Sequence, residues 1–272
     1  MKPAPFRYHR PASLGEALAL LSGHADAKLI AGGQSLVPMM NMRLVQPAAL
    51  IDLNAIAGMD SISEKGNFVE IGAMARHHAV ASSTLVKTDC PLLAQAARTI
   101  GHYAIRSRGT LGGSLAHADP AAQLPLVAVT LGAQIVVAGH RGERRIAAKD
   151  FFVSMMTTAL EPDEIVVSAR FPKAAPGERH AYLQFSRRTG DFAIVAVACT
   201  LLDKKLRIGL GGAEDKPLVF DDFSSQEKPQ AIARKVREAV NPAENPRVPA
   251  QYRKELVEVL TRRAVQECSS SN

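Results

Sequence analysis

The sequence contains no tryptophan, and aromatic residues make up only 5% of its 272 residues. Proteins that bind single-stranded nucleic acid stack bases on aromatic side chains, so this composition disfavours such a role. The net charge is +7, but the basic residues are spread out and form no long Lys/Arg run. The composition therefore disfavours the hypothesis that this chain is a basic nucleic-acid-binding module.

Cysteine is also scarce. Cys90, Cys199 and Cys268 lie far apart and form no C-x-x-C motif. We predict three ordinary thiols, with neither a disulfide framework nor a zinc or iron–sulfur site in this chain. His77 and His78 are adjacent and would point to different faces of a helix, so we predict no metal site there.

Targeting segments are not apparent. Residues 1–6 contain no apolar h-region, and the most apolar stretch, residues 124–138, is too short and too broken for a membrane span. We therefore expect a cytoplasmic protein. A composition of 47% hydrophobic and 22% charged residues is ordinary for a globular chain. The length allows one large domain or two to three small ones.

What the sequence does contain is a pair of glycine motifs, Ala31-Gly32-Gly33-Gln34-Ser35 and Thr110-Leu111-Gly112-Gly113-Ser114. Glycine lets backbone N–H groups approach an anion closely, and Ser and Thr add hydroxyl donors. One such motif is often a plain tight turn. Two in one chain indicate a bound diphosphate that is held from two sides.

The residue spacing of the two motifs excludes the common nucleotide-binding glycine loops. Neither motif is G-x-G-x-x-G or G-x-x-x-x-G-K-[ST], so neither a Rossmann nor a Walker-type site is predicted. No G-x-S-x-G nucleophile elbow and no Ser-His-Asp or Cys-His grouping is recognisable. We predict that no side chain of this chain is catalytic and that none binds a metal.

The periodicity of the chain predicts an α+β fold. Two strands flanking a crossover indicate a small βαβ-like unit over residues 1 to about 55, and mixed strands and helices continue to residue 175. Two prolines and a glycine over residues 172–177 mark a candidate domain boundary. Beyond it, three strand-like runs and two helical segments predict a small domain, residues 176–272, with a three-stranded antiparallel sheet.

The two glycine motifs resemble the paired FAD-diphosphate motifs of the medium, FAD-binding subunits of molybdenum hydroxylases, such as carbon monoxide, nicotine and xanthine dehydrogenases. The resemblance extends over nearly the whole chain. It includes Lys2-Pro3-Ala4-Pro5-Phe6, Asp119-Pro120-Ala121-Ala122, Glu161-Pro162-Asp163-Glu164-Ile165, Arg187-Arg188-Thr189-Gly190-Asp191-Phe192 and Arg207-Ile208-Gly209-Leu210-Gly211-Gly212.

This resemblance implies a two-lobed FAD-binding domain of the vanillyl-alcohol-oxidase (PCMH) type over residues 1–175, with lobes of about 1–55 and 56–175. A C-terminal flavoprotein domain would follow over residues 176–272. The cofactor contacts that it implies are Ile30, Ala31, Gly32, Gly33, Gln34, Ser35, Leu36, Ile100, Thr110, Leu111, Gly112, Gly113, Ser114, Gln123, Val166, Asp191 and Phe192. Asp191 and Phe192 would lie near the isoalloxazine ring.

The chain departs from the family pattern in two respects. Some relatives end the second motif with Asn or Asp, where this chain has Ser114. Some also carry a lysine where this chain has Leu183 and Gln184, so a cation that could steady a reduced flavin is missing.

The implied function is electron transfer in a heterotrimeric molybdenum hydroxylase. FAD on this chain would receive electrons from two [2Fe–2S] clusters on a small subunit, while molybdopterin on a large subunit hydroxylates the substrate. The assembly would be a dimer of heterotrimers, and the protein supplies binding and orientation to the cofactor. The alternative is a self-contained flavin oxidoreductase. The substrate, the redox potential and the electron acceptor are left open by the sequence.

Overall fold

The computed structural model describes residues 2–270. The chain begins with a three-stranded parallel sheet in the order β1-β3-β2. Its strands are β1 (Arg7–His9), β2 (Ala27–Ile30) and β3 (Ala49–Asp52), and its helices are α1 (Leu14–Gly23) and α2 (Leu36–Asn41). Parallel strands need crossover connections, which the two helices provide. Ser13 caps α1 by accepting a hydrogen bond from the backbone N–H of Glu16, as the S-x-x-E pattern predicts.

A five-stranded antiparallel sheet follows, in the order β4-β5-β10-β6-β7. Its strands are β4 (Ile62–Lys65), β5 (Phe68–Gly72), β6 (Gln134–Gly139), β7 (Gly142–Ala147) and β10 (Ile165–Pro172). The small elements between β7 and β10 are α9 (Ala148–Phe151), β8 (Phe152–Ser154) and β9 (Thr157–Thr158).

Six helices lie between β5 and β6. They are α3 (His77–Ser82), α4 (Thr84–Asp89), α5 (Pro91–Arg98), α6 (Tyr103–Arg106), α7 (Leu111–His117) and α8 (Gln123–Thr130). Every residue of α8 is buried, so this helix lies at the centre of the molecule.

The C-terminal part is a four-stranded antiparallel sheet covered by two helices. Its elements are β11 (Arg179–Phe185), β12 (Val195–Leu202), β13 (Lys205–Gly211), β14 (Leu218–Ser224), α10 (Pro229–Glu238) and α11 (Ala250–Ser270). The α+β class is confirmed, but the predicted count of three strands is wrong. The missed strand, β14, carries two adjacent acidic residues in an apolar run, which hides its alternation.

Two hydrophobic cores organise the chain. The larger core spans the first two sheets and includes Tyr182, Ala196 and Ala198 from the third sheet. The smaller core lies between the third sheet and the helices α10 and α11. Among residues 2–270, no helix is long and apolar enough to cross a membrane.

Candidate functional site

The first glycine loop, residues 31–35, joins the end of β2 to the start of α2 and is half-buried. Gly33 has a φ of +71°, a left-handed conformation that glycine adopts without strain. Within residues 2–270, no acceptor is assigned to the N–H groups of Gly33, Gln34 and Ser35. Ser35 occupies the N-cap position of α2, yet its hydroxyl makes no capping hydrogen bond. This loop therefore presents unused donors.

The second glycine loop is organised differently. Thr110 is the N-cap of α7, and its Oγ1 accepts a hydrogen bond from the N–H of Gly113 at 3.1 Å. The N–H groups of Leu111, Gly112 and Ser114 donate to the carbonyl oxygens of Ala75, Ala73 and Thr110. We expected both loops to bind phosphate mainly through backbone N–H groups. The second loop has already used these donors inside the protein.

The second loop still offers the side-chain hydroxyl of Ser114 as a hydrogen-bond donor. Ser114 is half-buried, and no hydrogen bond of its side chain is assigned in the described part of the chain. Gly112 serves packing: a Cβ built there would lie 2.5 Å from the Cβ of Ala73 on the segment after β5. The second loop is thus a rigid platform that carries side-chain donors.

The two loops meet directly. A Cβ built on Gly32 would overlap the carbonyl oxygen of Arg108 and lie 2.8 Å from the Cα of Gly109. A Cβ built on Gly113 would lie 3.8 Å from the Cβ of Ala31. Glycine at position 32 is therefore required by close backbone approach, and the two motifs form one continuous surface.

A hydrogen-bonded network that the sequence analysis did not identify links the two loops. Arg76 donates to the carbonyl oxygen of Arg108 and to Oδ1 of Asn54, both at 2.6 Å. Asn54 in turn donates from Nδ2 to the carbonyl oxygen of Ala31 at 2.9 Å. The spacing of Asn54 and Arg76 matches no motif, so this contact has no signal in the sequence.

The network is anchored by a carboxylate. Asp52 accepts hydrogen bonds from the backbone and side chain of Asn54 and from the hydroxyl of Tyr8. Burial raises the pKa of Asp52, but these hydrogen bonds outweigh that effect and hold the pKa below 3.8. Asp52 is therefore ionised at neutral pH.

The side chain of His77 packs against the start of the second loop. Its Nε2 lies 2.9 Å from the carbonyl oxygen of Thr110, and its ring packs against Gly109. Burial lowers the pKa of His77 from 6.5 to about 4, so the imidazole is neutral at pH 7. A neutral His77 that donates to Thr110 fits the structural role of this side chain.

Other predicted residues lie around a polar cluster where α5 and α8 pack against the third sheet. Gln123 donates to Oε1 of Gln184 at 3.3 Å, and the hydroxyl of Tyr182 donates to the same oxygen at 2.8 Å. The hydroxyl of Thr99, the neighbour of Ile100, also donates to Oε1 of Gln184, at 3.1 Å. Gln184 thus occupies a position between the predicted contacts Ile100 and Gln123.

Val166 is buried next to a bulge of β10. The carbonyl oxygen of the following residue, Val167, accepts a hydrogen bond from the N–H of Ala73 at 2.9 Å. Ala73 is the residue on which Gly112 packs. Val166 is therefore connected to the second loop through two backbone contacts.

Asp191 and Phe192 lie farther from the loops, in the connection between β11 and β12, and both are exposed. The neighbouring Gly190 packs against the backbone of Gly101, which follows Ile100. The side chain of Phe192 is 57% exposed, so an aromatic surface lies open beside this region.

A diphosphate fits the donors of the first loop. Three adjacent N–H groups for which residues 2–270 provide no assigned acceptor, together with the Ser35 hydroxyl, suit an anionic ligand. Arg106 and Arg108 form no ion pair with a carboxylate among residues 2–270. The guanidinium of Arg106 instead donates to the carbonyl oxygens of Ile100 and Gly101. In the same range, no group of three or more metal-ligating side chains is found.

Comparison with known proteins agrees with this geometry. The profile of the family described as "FAD binding domain in molybdopterin dehydrogenase" matches residues 4–174. The profile of the "CO dehydrogenase flavoprotein C-terminal domain" matches residues 180–268.

Curated relatives are similar over nearly their full lengths. The nicotine 6-hydroxylase medium subunit of Paenarthrobacter nicotinovorans is 38% identical, with 99% of each chain covered. The carbon monoxide dehydrogenase medium chain of Hydrogenophaga pseudoflava is 37% identical, with 97% of each chain covered. A solved structure of carbon monoxide dehydrogenase from Hydrogenophaga pseudoflava superposes with a TM-score of 0.94 at 36% identity, covering 99% of each chain.

Proposed function

Since this chain belongs to the FAD-binding medium subunits of the molybdenum hydroxylases, we propose that it binds one FAD and passes electrons to an external acceptor. The electrons come from [2Fe–2S] clusters on a partner subunit. The hydroxylation takes place at molybdopterin on another partner. The chain is thus the oxidoreductase component that carries electrons away from the substrate site.

The observation that carries this proposal is the contact between the two glycine loops at Gly32. Two segments that are about eighty residues apart in sequence form one surface. That surface has unused N–H groups from the first loop and hydroxyl groups from Ser35 and Ser114. Such a set of donors suits a diphosphate better than a monophosphate, because it approaches the ligand from two sides.

We assign the residues of the site as follows. The N–H groups of Gly33, Gln34 and Ser35 donate to the diphosphate, and the second loop supplies the hydroxyl groups of Thr110 and Ser114. The remaining predicted contacts would hold the other parts of the cofactor: Ile30, Ala31, Gly32, Leu36, Ile100, Leu111, Gly112, Gly113, Gln123, Val166, Asp191 and Phe192.

Bound FAD supplies the electron-transfer chemistry. The residues of this chain hold the cofactor, orient it and exclude water from part of it. Gln123 is buried, and its amide is fixed by Gln184. Gln184 is a neutral amide that can donate a hydrogen bond to the cofactor but contributes no positive charge.

We further propose the assembly and the domains. The chain associates with a small iron–sulfur subunit and a large molybdopterin subunit, as a dimer of heterotrimers in the cytoplasm. It divides into residues 1–175 and 176–272. The separate core between the third sheet and the helices α10 and α11 supports this division, as does the Pro- and Gly-containing connection between β10 and β11.

Purification of the full-length chain tests this function. We expect a yellow protein that releases FAD on acid denaturation at about one FAD per chain. Co-expression with the genes of the iron–sulfur and molybdopterin subunits should give a complex that retains all three components. A colourless chain that takes up no FAD would refute the proposal. A flavoprotein that reacts with substrate and acceptor alone would favour the self-contained oxidoreductase.

A further inference from the structure

One side chain connects the two loops of the candidate site. The guanidinium of Arg76 donates from Nη1 to the carbonyl oxygen of Arg108, two residues before the second loop, at 2.6 Å. It donates from Nη2 to Oδ1 of Asn54 at the same distance. Asn54 completes the link by donating to the carbonyl oxygen of Ala31 in the first loop. Three hydrogen bonds thus run from one loop to the other.

The orientation of Asn54 is fixed by its other contacts. Its side-chain N–H groups donate to Ala31 and to the carboxylate of Asp52, which also accepts the backbone N–H of Asn54. An amide has two N–H donors, and both are used here. Its oxygen is therefore the atom that faces Arg76. A flipped amide would place two donors against each other, so the assignment follows from the network.

The charge of Arg76 is not neutralised by a direct partner. In the contacts assigned to residues 2–270, its guanidinium bonds to two carbonyl oxygens and to no carboxylate. Asp52 lies on the far side of Asn54. A positive charge is therefore held beside the loops, where it favours an anionic ligand.

We propose that Arg76 is a positioning residue for the cofactor site, with Asn54 as its intermediary. It sets the separation of the two glycine loops and places a positive charge beside the diphosphate. This inference rests on the proposed function, because it concerns the affinity of the same site for FAD.

The experiment compares full-length variants in FAD affinity and in thermal unfolding of the FAD-free chain. We expect Arg76→Met to weaken FAD binding about 10- to 100-fold, the range for losing hydrogen bonds of a charged group. Arg76→Lys keeps the charge but cannot form the planar fork, so its affinity should lie between wild type and Arg76→Met. Asn54→Ala should weaken binding, and adding it to Arg76→Met should change little, because both act in one network.

A matched control is Arg144→Met. Arg144 also bonds to a side chain and a backbone carbonyl, those of Glu164 and Ala159, but it lies on β7, the edge strand of the second sheet, and forms no assigned hydrogen bond to either loop. This variant should lower the unfolding temperature and leave the FAD affinity unchanged.

The outcomes separate the two levels of the proposal. If wild type binds FAD and Arg76→Met binds it equally well, the positioning role is wrong and the proposed function stands. If Arg144→Met weakens FAD binding as much as Arg76→Met does, Arg76 has only a general structural role and the inference is overturned. If wild type takes up no FAD, the proposed function itself fails.

Discussion

The close approach at Gly32 leads to a quantitative prediction. In Gly32→Ala, the new methyl group would overlap the carbonyl oxygen of Arg108 and lie 2.8 Å from the Cα of Gly109. Ordinary contacts begin at 3.4 Å, so the loops would have to separate by at least 0.6 Å. The obstructing atoms belong to the backbone and cannot rotate away. The same carbonyl accepts the hydrogen bond from Arg76, so this link would be strained as well.

Overpacking of this kind costs about 1 to 3 kcal/mol. The FAD-free chain relieves this cost by letting the loops separate, and FAD binding must bring them together again, so the FAD dissociation constant should rise by about 5- to 150-fold. Titration of the FAD-free, full-length chain with FAD, followed by the change in flavin fluorescence, measures this constant. The matched control is Gly15→Ala on α1, where a Cβ meets nothing within 4 Å. If Gly32→Ala bound FAD with wild-type affinity, the two loops would not form one site, and the account would be refuted.

Three further predictions concern stability. Below pH 6.5 the unfolded chain protonates His77 more readily than the folded chain does, so up to about 3 kcal/mol of stability should be lost between pH 6.5 and 4. Urea unfolding over this range measures the loss, which His77→Gln should reduce. Hydrogen bonds from Arg144 hold the pKa of Glu164 below 4.5. The Arg144–Glu164 pair therefore contributes to the free energy of unfolding above pH 4.5, and this contribution disappears on further acidification. Glu164→Gln should remove that acid dependence in urea unfolding, and an unchanged profile would argue against it. Thr110→Ala should cost about 1 kcal/mol in thermal unfolding through loss of the N-cap, whereas Thr110→Ser should retain most of it.

The sequence was informative where local chemistry dictates structure. The Ser13 cap, the glycine motifs and the hairpin turn at Asp203 and Lys204 all follow from residue type and spacing. Both residues of that turn have positive φ, as a tight two-residue hairpin requires. Family resemblance added the FAD assignment, which spacing alone left as an unspecified diphosphate.

Other features depend on contacts between distant segments. Strand β1 has only three residues and β7 is largely charged and exposed, so neither shows a clear hydrophobic alternation. The N–H groups of the second loop are used by Ala73 and Ala75, some 35 residues earlier in the chain. No local pattern reveals that these donors are occupied. The two motifs therefore look equivalent in the sequence, although in the described part of the chain only the first loop has backbone N–H groups without an acceptor.

The Arg76 link illustrates the same limit. Asn54 follows β3 of the first sheet, and Arg76 lies between β5 of the second sheet and α3. Their meeting depends on how these two sheets pack, which single-residue patterns do not encode. Phe192 could be placed near the flavin by resemblance, but its exposure became visible only in the folded chain.

A crystal structure of the full-length chain with FAD bound tests the central claim most directly. We predict that phosphate oxygens lie within about 2.7 to 3.2 Å of the backbone nitrogens of Gly33, Gln34 and Ser35. The hydroxyl of Ser114 should approach the same diphosphate from the second loop. A diphosphate bound elsewhere, with these nitrogens facing only solvent, would contradict the assignment of the two glycine loops as one FAD site.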